Sequence, residues 1–242
     1  MSELGQEELF EMPGREKWHE SLRAGFDLET TSPNPSEARI VTASLIVVDA
    51  AGNVANHQEW LVNPGVPIPP EASNIHGVTD ERAQRDGLPA VLAVSQIAMQ
   101  LTQLFEAGIP VIAFNASYDF TVMAAEAKRY HCVFGEPRPV IDPYILDKQF
   151  DRYRRGKRTL QEVAAFYQVP LQNAHTSAAD AMAAVGVADQ IARKYPAVQV
   201  PSADLHDAQI GWKKEQAAGL QEFLMRKDPN AFVDPRWPVA LD

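Results

Sequence analysis

The sequence predicts an α/β layered domain whose mixed sheet combines an antiparallel three-strand meander with later parallel strands, flanked by helices. Two patterns predict it. Three strand-like runs rich in β-branched residues stand together near the start of the chain, and short, wholly apolar runs then alternate with stretches of helical periodicity. The first run is 24–30, bounded by Thr31, Ser32 and Pro33. The second is 39–50, rich in Val and Ile, and it is followed by the turn residues Ala51, Gly52 and Asn53. The third is 56–63. Residues 64–70 read as a Pro-rich loop too stiff for a helix.

Helical spacing appears over 91–107, where Val91, Val94, Ile97, Ala98, Leu101, Leu104 and Phe105 share a stripe that Gly108 closes. The apolar run 111–114 after Pro110 suits a buried central strand, and 118–130 reads as a helix. Val140 and Ile141 form another short buried strand that ends at Asp142-Pro143. Residues 159–167 read as a helix capped by Thr159, with Glu162 completing a capping box. An Ala-rich helix covers 178–195. Beyond Pro201 one long helix is expected over 203–226, then a Pro-rich tail. The expected organisation is therefore an N-terminal extension (1–23), a main domain (24–200) and a C-terminal helical appendage with its tail (201–242).

Composition narrows the function classes. No apolar run approaches the ~18 residues a membrane span needs, so no membrane partner is expected. The N-terminus is acidic and lacks a secretory pattern, so a cytoplasmic location is expected. The single cysteine, Cys132, excludes an intrachain disulfide and a cysteine zinc site. A net charge of −10 runs against non-specific nucleic-acid binding. Clustered carboxylates can hold several of those charges, however, and bound divalent cations would invert the local sign. Over 148–158 the balance reverses, with Lys148, Arg152, Arg154, Arg155, Lys157 and Arg158 against Asp151 alone. That run reads either as a solvated loop or as a path for phosphates.

The chemistry rests on acids in a particular order. Asp27 and Glu29 lie two apart on the first strand, so both carboxylates project from one face while Phe26 and Leu28 take the other. Side-by-side anions repel unless a cation neutralises them, and an oxygen-only ligand set favours Mg2+ or Mn2+ over zinc. Asp119 follows the buried run 111–114 at a strand-to-helix turn, the end of a strand where α/β sheets bind ligands. His175 precedes the Ala-rich helix, and Asp180 lies in its first turn among Ala178, Ala179 and Ala181, small neighbours that permit close backbone approach. Taken singly, each has an ordinary reading: an edge-strand acid pair, a first-turn acid, an exposed loop histidine, a solvated helix acid.

Together the segments Phe26-Asp27-Leu28-Glu29-Thr30-Thr31-Ser32, 111–120 with Asp119, His175-Thr176-Ser177-Ala178-Ala179-Asp180, and the loop from Asn63-Pro64-Gly65 to His76-Gly77-Val78-Thr79-Asp80 resemble the DEDDh exonucleases. This is the family of the proofreading epsilon subunit of bacterial replicative polymerase, ribonuclease T and oligoribonuclease. The loop is typical of the epsilon-like branch, and Trp212, Gln216, Ala217, Gln221 and Trp237-Pro238 resemble the tail of stand-alone actinomycete-type members. The resemblance covers roughly residues 24–195, with Ser32 where glycine is more usual. No polymerase-tethering motif is evident. Gln100 to Phe105 superficially resembles a sliding-clamp peptide, but Leu104 and Phe105 belong to an amphipathic helix and read as core.

The resemblance implies a ribonuclease H-like fold and 3′–5′ cleavage of DNA by two divalent ions. By that implication Asp27 bridges the ions, Glu29 and Asp180 hold the ion carrying the attacking water, Asp119 supports the second ion, and His175 is the general base. Histidine as a residue type titrates near pH ~6.5, which suits that task. The backbone at Leu28 and Thr30, with His76, Phe114 and Asn115, would contact the terminal nucleotide, and Arg154, Arg155, Lys157 and Arg158 would track the approaching phosphates. The expected partner is the 3′ end of a nucleic acid, with single-stranded DNA ahead of RNA. The competing readings are an RNA-directed exonuclease, a non-catalytic nucleic-acid binder on the same fold, and an interaction protein whose acids are merely solvated.

Overall fold

The computed structural model describes residues 16–172 and 174–241. Residues 1–15 of the expected N-terminal extension, and Asn173 of the loop before His175, lie outside them.

The meander forms as the alternation dictates. Strand β1 (Arg23–Thr30) pairs antiparallel with β2 (Ile40–Val48), and β2 pairs antiparallel with β3 (Val54–Asn63). Three features follow for which no element was expected: α1 (Pro70–His76), α2 (Asp80–Asp86) and the two-residue β4 (Leu88–Pro89), which pairs parallel with β3. The sequence reading treated proline as a bar to helix up to Pro70. Pro70 instead opens α1 at its first position, where the missing N–H costs nothing.

Next come α3 (Ala90–Glu106), β5 (Val111–Ile112), α4 (Ser117–Tyr130), β6 (Val140–Ile141), α5 (Pro143–Phe150), α6 (Leu160–Phe166), α7 (Ser177–Lys194) and α8 (Ser202–Met225). The sheet order is β4-β3-β2-β1-β5-β6, with β1, β5 and β6 mutually parallel. It is the expected mixed sheet flanked by helices.

The pleat of β1 sorts its residues onto two cores. Ala24, Phe26 and Leu28 are buried in the core that includes α3 and α4, with Val94, Ile97, Phe120 and Met123. Gly25 lies on the other face, against α7, and Asp27 and Glu29 share that face by the two-residue period. A Cβ on Gly25 would stand 2.6 Å from the Ala181 carbonyl oxygen and 2.8 Å from Val185 Cγ2. Only glycine allows this approach, and the buried hydroxyls of Ser44 and Ser177, 2.9 Å apart, tie α7 to β2 beside it.

Both ends of the described residues enter the packing. Trp18 is 1% exposed within the core that contains α7, and its indole N–H donates to the Val198 carbonyl at 2.8 Å. Arg23 begins β1 and holds Asp189 of α7 through two N–H donors at 2.8 and 2.6 Å. Residues 16–23 therefore pack against the sheet and α7. Helix α8 covers the open edge of β6. Val140 N–H donates to His206 Nδ1 at 3.0 Å, Gln209 Nε2 donates to Val140 O at 3.0 Å, and Asp142 N–H donates to Gln209 Oε1 at 2.7 Å. Side chains of α8 thus stand in for a further strand and leave no bare edge at these positions.

Two consequences can be measured by denaturant titration. Gly25→Ala should lower stability by about 1–3 kcal/mol, because a methyl group forced against backbone must displace α7. Gln209→Leu should cost about 1–3 kcal/mol for each backbone group orphaned at β6. A Gly25→Ala protein as stable as the wild type would show that α7 is not held against β1 as described.

Candidate active site

The acids gather at the C-terminal end of β1. Asp27 and Glu29 project toward α7, whose first turn carries Asp180. Asp119 arrives from the opposite layer. Strand β5 pairs with β1 only at Ala24 and Gly25, so the β1 edge beyond is free of a strand partner on that side. The Leu28 N–H exposed there is taken by the Asp119 carboxylate at 3.1 Å. The Leu28 backbone, expected from the sequence to meet the terminal nucleotide, thus has its amide hydrogen-bonded to Asp119. The Thr30 hydroxyl is likewise shared with the Tyr118 phenol and the Ser32 carbonyl.

The turn that presents Asp119 is built by a residue the sequence reading passed over. Asp142, 1% exposed, accepts from Asn115 N–H at 2.9 Å, Ala116 N–H at 3.0 Å and Tyr144 N–H at 2.9 Å. Asn115 sits at φ 62°, in the left-handed region that asparagine tolerates better than most residues. That turn ends β5 at Ile112 instead of Phe114. Asp-Pro at 142–143 is a helix-start signature, an acid cap before a first-position proline, and it could have revealed both α5 and this role.

His175 and Asp180 form the third side. His175 is exposed at φ 70°, and its N–H donates to Asp180 Oδ2 at 3.3 Å. Thr176 caps α7 by accepting from Ala179 N–H. Ligand atoms of Glu29, His175 and Asp180 all lie within 4.8 Å of one another. Asp180 Oδ1 is buried without a hydrogen-bond partner.

Each carboxyl is destabilised as an anion. Burial, then Asp119, Asp180 and Glu29, push Asp27 well above the usual carboxylate range. Burial and Asp180 push Glu29 up to about 7. Asp119 and Asp180 are raised chiefly by burial, and Asp142 reaches about 6 for the same reason. Burial also pushes the Tyr118 phenol up to about 12. No cation of this chain is paired with Asp27, Glu29, Asp119 or Asp180 among the described residues. A set of oxygen donors with one imidazole at its rim, crowded and unneutralised, fits divalent cations.

Two clefts flank the acids. One, of about 380 Å³, is lined by Asp27, Asp180, Phe114, Asn115, Tyr144 and Arg158. The other, of about 670 Å³, is lined by Leu28, Glu29, Thr30, Ile75, His76 and Tyr118 among others. His76 is buried, and its Nδ1 accepts the Val78 N–H at 3.1 Å. Burial lowers its pKa, so the neutral ring carries its proton on Nε2, a buried donor with no partner. Phe114 meets the Tyr144 ring edge-on at 5.7 Å.

The basic run 148–158 is neither one loop nor uniformly free. Lys148 is in α5. Arg154 holds the buried Asp147 carboxylate at 2.5 Å and lies 4.6 Å from the Phe166 ring centre. Arg158 pairs with the same carboxylate and donates to the Asp147 carbonyl at 3.1 Å. A buried carboxylate must be paired, so these two arginines are struts. Arg155 and Lys157 are exposed.

The family model for RNase T-type exonucleases matches residues 24–188. Uncharacterized exonuclease CP81 of Escherichia phage 186 is 31% identical over 190 residues, 73% of this chain and 91% of that protein. The DNA polymerase III subunit epsilon of Treponema pallidum (strain Nichols) is 27% identical over 161 residues, 64% of this chain and 69% of that one. Among solved structures, E. coli exonuclease I in complex with a dT13 oligonucleotide superposes with a TM-score of 0.60 at 18% identity over 74% of this chain, which spans 42% of that protein. The nuclease domain of 3′hExo, a DEDDh family member bound to rAMP, superposes with a TM-score of 0.60 at 12% identity, covering 72% of this chain and 92% of that one. These structures share the ribonuclease H-like fold. No helix among the described residues is long and apolar enough to cross a membrane.

The raised acids give a signed pH dependence in protein stripped of divalent ions. Glu29 ionises near 4.5 when unperturbed and near about 7 in the fold. Its contribution to stability is therefore full below the lower value and is lost as pH rises through the upper one. Glu29→Gln should match wild-type stability at the acid end. It should exceed it by on the order of 1–2 kcal/mol at the alkaline end, after discounting for solvent screening. A gap that does not change with pH would contradict the assigned crowding.

Proposed function

This chain belongs to the DEDDh, DnaQ-like exonuclease family, and we propose that it removes nucleotides from the 3′ end of single-stranded DNA using two divalent cations, Mg2+ or Mn2+, with His175 as general base. The observation that carries the reading is the convergence of Glu29, Asp180 and His175 within 4.8 Å beside the mutually repelling Asp27 and Asp119. Asp27, Glu29, Asp119 and Asp180 would hold the cations, and the partnerless Asp180 Oδ1 supports a ligand beyond the chain's own donors. When bound, the cations supply a nucleophilic hydroxide near neutral pH and neutralise charge on the phosphate.

The residues of the chain divide the remaining work. His175, exposed at the rim, is free to accept the proton of the attacking water and to turn toward solvent afterwards. Asp180 fixes the His175 backbone through its amide. The larger cleft would receive the terminal nucleotide, with Leu28, Thr30 and Tyr118 along one side and the His76 Nε2–H as a donor for a sugar or phosphate oxygen. Phe114 and Asn115 would meet the next nucleotide in the neighbouring cleft. DNA as substrate is supported by the epsilon-subunit relative and by the oligonucleotide in the exonuclease I complex. The rAMP bound to 3′hExo keeps RNA as the second reading.

The test is a 5′-labelled strand, as DNA and as RNA, incubated with Mg2+ or Mn2+. The expected product is a ladder shortening from the 3′ end, stronger on DNA, abolished by chelator and absent with Asp180→Ala. His175→Ala should lower kcat by about 10²–10⁴-fold while the strand still binds. Products shortened from the 5′ end, or a full ladder from Asp180→Ala, would overturn the reading.

A further inference from the structure

We infer that the strand leading to the scissile phosphate runs through a cationic groove between α5 and α8, which makes the C-terminal helix one wall of the substrate path. The inference rests on the exonuclease reading and adds where the rest of the polymer lies. The groove, of about 430 Å³, is lined by Lys148, Arg152 and Arg158 on one side and by Glu215, Gln216 and Gly219 of α8 on the other.

Three observations join it to the acids. Arg158 lines both this groove and the cleft that contains Asp27 and Asp180, so the two are neighbours across that one residue. Tyr144 and Lys148 stand one helical turn apart on α5, with the Lys148 ammonium 4.8 Å from the Tyr144 ring centre, and Tyr144 lines the acidic cleft. Lys213 of α8 approaches from the other wall, close enough that its charge and that of Arg158 add to burial in lowering the Lys148 pKa.

The charges are placed for a polyanion. In a chain of net charge −10, Lys148, Arg152, Arg158 and Lys213 gather with Glu215 as the opposing acid that lines the groove. Lys148, Arg152 and Lys213 make no ion pair within 4.0 Å among the described residues, unlike Arg154 and Arg158, which are bound to Asp147. Like charges gathered without a close ion pair are stabilised by a bound anion, and phosphates spaced along a strand match a row of them. Gly219 keeps the far wall low. A Cβ there would meet nothing within 4 Å, although glycine inside a helix costs about 1 kcal/mol relative to alanine. Tyr153, 88% exposed, has its ring centre 5.9 Å from the guanidinium of the groove residue Arg152 and offers an aromatic face for a base.

The experiment uses the full chain with divalent ions and compares two substrates: a nitrophenyl ester of thymidine monophosphate, which reaches only the acids, and a single strand of about 15 nucleotides. The wild type should bind the long strand with a far lower KM, and rising salt should erase the advantage. The double variant Arg152→Glu, Lys213→Glu should raise the KM of the long strand about tenfold more than that of the ester. It should also reduce the salt slope of long-strand binding by about two. Gly219→Trp, which fills the groove without changing charge, should act in the same direction. Hydrolysis of both substrates with a KM that ignores length would overturn the groove and leave the exonuclease intact, and the wild type alone decides that. Hydrolysis of neither substrate would overturn the exonuclease reading itself.

Discussion

The backbone of α7 lies on the backbone of β1 at Gly25, where a side chain would collide with the Ala181 carbonyl and Val185. This contact sets the distance between a strand that carries Asp27 and Glu29 and a helix that carries Asp180. Any larger residue at Gly25 would lift α7 and separate the acids. Small residues keep the two elements close: Ala181, Ala184 and Ala188 of α7 are buried in this core, and the Ser44–Ser177 hydroxyl pair ties α7 to β2. Close packing of backbone on backbone is stiff, because no side chain can adjust to absorb a shift. A site that must hold several carboxylates together needs that stiffness, since their mutual repulsion works to open it.

The second support runs through Asp142. Its carboxylate gathers the N–H groups of Asn115, Ala116 and Tyr144, which fixes the turn into α4 and therefore the position of Asp119. Its own N–H is held by Gln209 of α8. The C-terminal helix thus reaches the acids in two steps: Gln209 to Asp142, and Asp142 to the turn before Asp119. An element that reads as an appendage in the sequence is coupled to the centre by hydrogen bonds between buried groups, where loss of a partner is most costly. The same helix walls the groove that Arg158 joins to the acids.

The charges follow one logic across the molecule. Where a buried carboxylate serves the framework, the chain supplies a cation or several N–H donors: Arg154 and Arg158 for Asp147, Arg39 and Arg129 for Glu126, and three amides for Asp142. At Asp27, Glu29 and Asp180 it supplies neither a cation nor several N–H donors among the described residues. The difference marks these three off from the acids of the framework. It also explains why a net charge of −10 is compatible with a nucleic-acid substrate.

The sequence alone determined the elements with strong periodicity and the mixed sheet, and it singled out Asp27, Glu29, Asp119, His175 and Asp180. Alternation on β1 forces Asp27 and Glu29 onto one face, and Asp119, His175 and Asp180 belong to motifs whose order could be read directly. Tertiary structure decided what depends on partners far along the chain. Pro70 and Pro143 begin helices because their missing N–H groups fall where none is needed. Strand β5 stops at Ile112 because Asp142, 27 residues from Asn115, claims the next turn. Arg154 and Arg158 look like free cations in the sequence, yet the buried Asp147 binds both. Gly25 looks like an ordinary glycine until the Ala181 carbonyl, far along the sequence, lies against it. Local pattern fixes which way a side chain points, and only the folded chain fixes what it meets there.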